Sequence, residues 1–308
     1  MTKFQLEGKL IDTPENQKAF RSAEDLHDAY HKKTILEGRV ILCDNEHNLH
    51  VDLGCMTGII PRLEGALGIE DGSTKDIAII SKVNKPVMFY ITGFEKDDFG
   101  EEKAILSRKD VQQECMDEYI SSLQYGDIIN ARVCHTESFG VFTDIGAGIN
   151  ALLPIDGISV SRIPHPNSRF SSNEEIKAVV KSRDDFGRIV LSHKELLGTW
   201  KENASEFSVG ETVPGIVRSV ENYGIFVELT PNLAGLAEFS ENVHVGQNTS
   251  VYIKSIIPER MKIKLIIVDN FDRSYPISKI KYYEKSNHID YWRYSPEECE
   301  KIIETKFV

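Results

Sequence analysis

Ser138-Phe139-Gly140-Val141-Phe142-Thr143-Asp144-Ile145 and Asn222-Tyr223-Gly224-Ile225-Phe226-Val227-Glu228-Leu229 follow one pattern: aromatic, glycine, aliphatic, phenylalanine, then alternation. The second begins 84 residues after the first. Self-similarity at a fixed offset marks repeated modules, and it decides the fold before any single element does. Each stretch follows a β-branched run, at 128–134 and 213–220. Each precedes a turn and a short apolar run, Ala151-Leu152-Leu153-Pro154 or Gly235-Leu236-Ala237. Each copy closes on basic and aliphatic residues, Arg188-Ile189-Val190-Leu191-Ser192 or Lys262-Ile263-Lys264-Leu265. Short alternating runs with glycine turns predict small, nearly closed β-barrels.

A looser copy lies upstream. Gly38-Arg39-Val40-Ile41-Leu42 opens it, Val51-Asp52-Leu53-Gly54 and Gly58-Ile59-Ile60-Pro61 continue it, and Ala104-Ile105-Leu106-Ser107 closes it. Leu106-Ser107 stands 85 residues before Leu191-Ser192, so the period holds. The aromatic pair is missing there, and the stretch from His47 to His50 takes its place.

Helices are expected between the barrels. Asp12-Thr13-Pro14-Glu15 is a start signal, and Ala19, Ala23, Leu26 and Tyr30 follow at helical spacing. Ser107-Arg108-Lys109-Asp110 and Ser192-His193-Lys194-Glu195 have capping-box spacing, and Ser295-Pro296-Glu297-Glu298 starts a last short helix. Connectors of about 12 to 15 helical residues would hold neighbouring barrels at a semi-rigid distance. The expected order is an N-terminal helical segment at 1–33, a degenerate first barrel at 34–110, and a helical linker at 111–125. A second barrel at 126–195, a linker at 196–208, a third barrel at 209–269 and an aromatic-rich extension with a short helix at 270–308 complete it.

Composition narrows the function classes. At 41% hydrophobic and 27% charged the chain is an ordinary globular one. No apolar run approaches the roughly 18 to 20 residues of a membrane span, and the opening residues lack the pattern of a signal peptide. The five cysteines (Cys43, Cys55, Cys115, Cys134 and Cys299) form no C-x-x-C pair and read as reduced thiols of a cytoplasmic protein. His27 and His31 are a helical i, i+4 pair with no clear third metal ligand, so a surface or packing role is expected. Phosphate-loop, dinucleotide, nucleophile-elbow and zinc-protease motifs are all missing. The expectation is a non-enzymatic protein with no cofactor and no metal.

The net charge of −12 is unusual for a phosphate-binding surface. It is unevenly spread: residues 1–125 hold 15 Lys+Arg against 23 Asp+Glu, and residues 126–308 hold 21 against 25. The second half is therefore where a nucleic-acid surface is expected, and the acidic first third suits docking on a protein.

The Gly-led strand, the Phe-Gly-x-Phe segment, the Gly-x-Leu-Leu turn and the closing Arg-Ile-x-Leu-Ser resemble the S1 RNA-binding domain, a five-stranded oligonucleotide-binding (OB) barrel. Three tandem copies over about residues 34 to 269 resemble the short ribosomal S1 proteins of the Firmicutes. The resemblance implies single-stranded RNA, mRNA above all, lying on two aromatics, a histidine, an aspartate and an arginine, with a link to translation and the small ribosomal subunit. It places these roles on Phe139, Phe142, Asp184 and Arg188 in the second copy, with Pro154 at the histidine position. In the third it places them on Tyr223, Phe226 and Lys262, with Glu238 and Pro258 at the histidine and aspartate positions. The first copy keeps none of the set convincingly.

Those residue types suit the task. A solvent-facing ring stacks on any unpaired base for about 1 to 3 kcal/mol, with little sequence preference. Core packing is the competing reading of strand phenylalanines. Recurrence at matched positions, with Tyr once replacing Phe, favours a wet face. Arg162, His165 and Arg169 in the loop 159–169 are further candidate RNA contacts. The C-terminal aromatics Tyr275, Tyr282, Tyr283, Tyr291, Trp292 and Tyr294 are expected to pack, since leaving them exposed invites aggregation. Two rival readings are a protein-interaction scaffold whose barrels have lost RNA, and an accessory factor presenting RNA to a separate nuclease.

Overall fold

The computed structural model describes residues 3–97, 99–271 and 280–307. Three five-stranded closed barrels dominate it, as the repeat predicts. The first is β1 (Leu36–Cys43), β2 (Leu49–Asp52), β3 (Thr57–Ile60), β4 (Pro86–Lys96) and β5 (Glu102–Ser107). The second is β6 (Ile128–Glu137), β7 (Gly140–Asp144), β8 (Asn150–Pro154), β9 (Glu175–Arg183) and β10 (Ile189–Ser192). The third is β11 (Thr212–Glu221), β12 (Gly224–Thr230), β13 (Leu233–Ala237), β14 (Asn248–Ile257) and β15 (Lys262–Phe271). All share one strand order. The third strand runs parallel to the fifth, the fifth antiparallel to the fourth, and the fourth closes on the first. Closure leaves no unpaired sheet edge, so short strands suffice.

The chain forms two compact units, 1–123 with 144–149 and 124–143 with 150–308. In the first, Val40, Leu49, Val51, Ile60, Phe89 and Leu106 fill the barrel. The N-terminal periodicity divides into α1 (Pro14–Ala19) and α2 (Ala23–His31). Ser22 is the reason: its Oγ accepts from the Asp25 N–H at 3.1 Å and starts a new helix. A short α3 (Ile77–Ile80) follows, and α4 (Arg108–Glu118) begins where Ser107 Oγ accepts from the Asp110 N–H at 2.9 Å. Arg108 and Lys82 each meet the buried Glu7 carboxylate at 2.7 Å. Burial opposes the ionised form, yet the two cations hold Glu7 down at about 2.

The second unit departs from the expected spacer. After α5 (Ile155–Ile158), Ser192 merely ends β10, and Glu195 is buried, accepting from Thr305 Oγ1 at 2.8 Å. The capping box forms instead between Thr199 and Glu202, opening a single helical turn, α6 (Trp200–Ala204). Leu196 and Trp200 are buried in a core shared with Val179 of the second barrel and Val217, Val251 and Ile253 of the third. The connector is thus part of the core rather than a rod. The C-terminal segment joins the same core through Trp292, Tyr294 and Phe307, while Tyr275 lies outside the described residues. The helix expected from Ser295 does not form. Ser295 Oγ accepts from the Ile303 N–H at 2.8 Å instead, tying a hairpin of β16 (Tyr291–Arg293) and β17 (Glu304–Lys306).

Candidate nucleic-acid interface

Glycine makes the aromatic placement possible. A Cβ on Gly140 would stand 2.5 Å from the Leu153 carbonyl oxygen, and one on Gly224 2.5 Å from that of Ala237. Only glycine lets β7 and β12 start this close to the next strand. The expected bend is therefore a close approach, with an exposed ring just before it and an outward ring two residues after it. Phe139 is 54% exposed and meets the half-buried Phe142 edge to face, with centroids 5.9 Å apart. Tyr223 is 71% exposed and meets Phe226 the same way at 6.2 Å. The T-shape leaves the outer ring free to stack.

Across the second barrel, Val190 of β10 lies beside Leu152 of β8, next to β7 and its Phe142. In the turn before β10, Asp184 Oδ1 accepts from the N–H groups of Phe186 and Arg188, both at 2.9 Å. Its Oδ2 meets Arg188 Nε at 2.7 Å. Slight burial works against the ionised form, but these donors hold Asp184 below the usual carboxylate range. Arg188 also lies 5.0 Å from the Phe186 ring centre, and Phe186 is 82% exposed. Sequence reasoning missed Phe186. The signal was there, because Asp184-x-Phe186-Gly187 repeats Asp97-x-Phe99-Gly100.

The loop candidates separate. Arg162 is exposed, and His165 is half-buried with Nδ1 accepting from the Asn167 N–H at 3.2 Å. Arg169 contradicts the expectation of an RNA contact. It is 4% exposed, and both terminal nitrogens meet the Glu228 carboxylate at 2.9 Å. Arg218 also donates to Glu228, at 2.9 and 3.0 Å. Burial raises the cost of the charge on Glu228, and the two guanidinium groups overcome it, keeping the carboxyl below its ordinary range. Arg169 therefore joins the second barrel's loop to the third barrel.

On the third barrel the register aligns Phe226 with Leu236, and Leu236 with Lys264. Lys262 and Lys264 are both exposed, as are Lys254 on β14 and Arg260 in the turn. Glu238 is exposed, and Pro258 begins the turn where an aspartate was sought. Lys264 was legible from parity, since it points the same way as Lys262 on an alternating strand.

The first barrel shows where its divergence lies. His50 aligns with Ile59 and Ile59 with Ile105, so His50 stands where Phe226 stands in the third barrel. His50 Nε2 is 3.2 Å from Asp44, and His47 Nδ1 is 3.4 Å from Asp76. Asp97 nevertheless pairs with Lys103 at 3.0 Å and accepts from the Phe99 N–H at 2.9 Å, and Phe99 is 93% exposed. This acid–base pair escaped the sequence reading because two more residues separate it than separate Asp184 from Arg188. The segment that carries the two histidines is acidic, with Asp44, Glu46, Asp52 and Asp76 in β1–β3, their turns and the following loop. No cluster of three or more metal-ligating side chains occurs among the described residues, and His27 stacks on Phe94 at 3.8 Å. No helix among the described residues is long and apolar enough to cross a membrane.

The family match agrees with this geometry. Residues 122–194 match the S1 RNA binding domain. The small ribosomal subunit protein bS1 of Staphylococcus aureus is 34% identical over 182 residues, covering 54% of this chain and 46% of that one. The Bacillus subtilis homolog of the same protein is 28% identical over 291 residues, covering 91% and 72%. The chain spans about half the length of the staphylococcal relatives. A crystal structure of a multidomain protein with nucleic acid binding domains from Streptococcus pneumoniae is 14% identical, covers 79% of this chain and 75% of that one, and has a TM-score of 0.26. The chain therefore carries an S1 RNA-binding domain at 122–194, preceded and followed by barrels of the same strand order.

Proposed function

We propose that the protein binds single-stranded RNA, mRNA above all, on the faces of the second and third barrels, and does so in translation with the small ribosomal subunit. The observation that carries the reading is the recurrence of an exposed ring edge-on to an outward ring, at 5.9 Å in one barrel and 6.2 Å in the next. Two such platforms hold unpaired bases by their π faces without reading sequence. Phe139, Phe142, Asp184, Arg188 and the exposed Arg162 form the first, with Phe186 added; Tyr223, Phe226 and Lys262 form the second. His165 borders the first. The acidic first barrel, whose face carries His47 and His50 paired to carboxylates, serves as the protein-docking module.

The test is a titration with unstructured RNA, comparing wild type with Phe139→Ala/Phe142→Ala. Loss of about 1 to 3 kcal/mol per unstacked base is expected. Absence of wild-type binding at low salt would overturn the RNA reading and leave the protein scaffold.

A further inference from the structure

We infer that the β14–β15 hairpin of the third barrel, which includes Lys262 of the second platform, is a track for the phosphodiester backbone that extends beyond that platform. The inference rests on the RNA reading and specifies where the strand's charge is met. Between Tyr252 and Ile266 the chain carries four cations, Lys254, Arg260, Lys262 and Lys264, and one carboxylate, Glu259, in a protein of net charge −12. All four cations are exposed, and none makes an ion pair with a described residue. All four lie on one hairpin: Lys262 and Lys264 share a face of β15, Lys254 stands in the bulge of β14, and Arg260 lies in the turn between them. Lys264 lies opposite Ser255 and Lys262 opposite Ile257 on β14, while Lys264 flanks Leu236, the neighbour of Phe226. Lys264 thus lies on the strand next to the one that flanks the ring strand β12.

The second barrel offers a contrast that gives this arrangement meaning. Its Arg188 is held by Asp184 and its Arg132 by Glu175, each at 2.7 Å. A cation already paired releases fewer counterions when a phosphate arrives, whereas a free one contributes in full. In the third barrel Pro258 occupies the place of the pairing aspartate, so Lys262 has no tether. A single-stranded backbone meets the free lysines as point charges, without sequence preference, while bases stack on the adjoining rings.

The experiment measures RNA affinity of the full chain across a range of salt concentrations. Wild type is compared with Lys254→Gln/Arg260→Gln/Lys262→Gln/Lys264→Gln. A control variant, Lys18→Gln/Lys33→Gln/Lys75→Gln/Lys85→Gln, makes the same change in net charge on the first unit. The hairpin variant should flatten the slope of log affinity against log salt by about 0.7 for each phosphate it no longer neutralises. The control should keep the wild-type slope, and Lys254→Arg/Lys262→Arg/Lys264→Arg should keep it too. Phe139→Ala/Phe142→Ala should lower affinity with the slope unchanged. An unaltered slope in the hairpin variant, or equal flattening in the control, overturns the track while leaving RNA binding intact. Wild type that ignores RNA but sediments with phosphatidylserine vesicles overturns both readings and assigns the hairpin to a membrane surface.

Discussion

The second and third barrels share strand order, glycine placement and ring geometry, yet the cation that opens the last strand is paired in one and, among the described residues, unpaired in the other. In the second, Asp184 takes the side chain of Arg188 and two backbone N–H groups, and Arg188 in turn lies over Phe186. That ion pair is neutral overall and holds Arg188 beside the exposed Phe186 ring. In the third, the corresponding turn is Pro258-Glu259-Arg260-Met261, and the lysines beyond it have no such partner. On the proposed RNA reading, one barrel offers stacking surface beside a paired arginine and the other stacking surface beside unpaired cations. The lesson is that a repeat can conserve its frame while dividing the work of binding between copies.

The largest way to break this comparison is to untie the two barrels. Glu228→Ala leaves Arg169 and Arg218 buried without their carboxylate, at a cost of about 3 to 5 kcal/mol. Arg169→Ala should cost less, because Arg218 still serves Glu228. Urea unfolding measures both, and equal midpoints for the two variants would contradict the ranking. Acid should act next, and on one barrel first. Buried His193 donates from Nδ1 to Ile158 O and accepts at Nε2 from Tyr282 Oη, and burial, with Arg169 nearby, pushes it down from 6.5 to about 4. The native state therefore stays neutral while the unfolded chain takes a proton. Stability is lost as pH falls from 6.5 toward 4, by up to about 3 kcal/mol. The corresponding β15 position, Ile267, does not titrate, so acid should loosen the second barrel before the third in residue-resolved NMR. A His193→Gln protein that keeps the same pH profile would refute this.

Smaller effects sharpen the contrast. Removing Tyr223 and Phe226 should lose about 1 to 3 kcal/mol per base, as in the second barrel, and a much smaller loss would mean that charge alone holds RNA there. Asp184→Asn frees Arg188 and should steepen the salt slope by about 0.7, making the second barrel resemble the third. A slope that does not move would show that Arg188 reaches no phosphate.

The architecture was legible because each copy repeats short alternating strands at a constant offset, so three weak patterns supported one another. Phe139 and Phe142 were legible for the same reason, since core packing does not explain why Tyr replaces Phe at the more exposed position. Arg169 was not: nothing in a polar loop announces that its partner is Glu228, 59 residues away. Phe186 sits in a turn, where strand periodicity carries no information. Ser192 and Ser295 had the right spacing for helix starts, but tertiary demands took their neighbours, placing Glu195 under Thr305 and Ser295 against Ile303. Local cap signals compete with whatever the folded core offers.

The carboxylate of Glu228 also sets the avidity of the pair. Two arginines, one from each barrel, converge on it, so the second and third barrels do not sample separations as flexibly tethered modules do. An RNA strand captured on one barrel then meets the other at an effective concentration fixed by the buried joint and by the strand's own length, rather than by a linker. On the proposed RNA reading, the two surfaces then act as a bidentate receptor with a minimum ligand length, and fragments shorter than that length gain nothing from the second site.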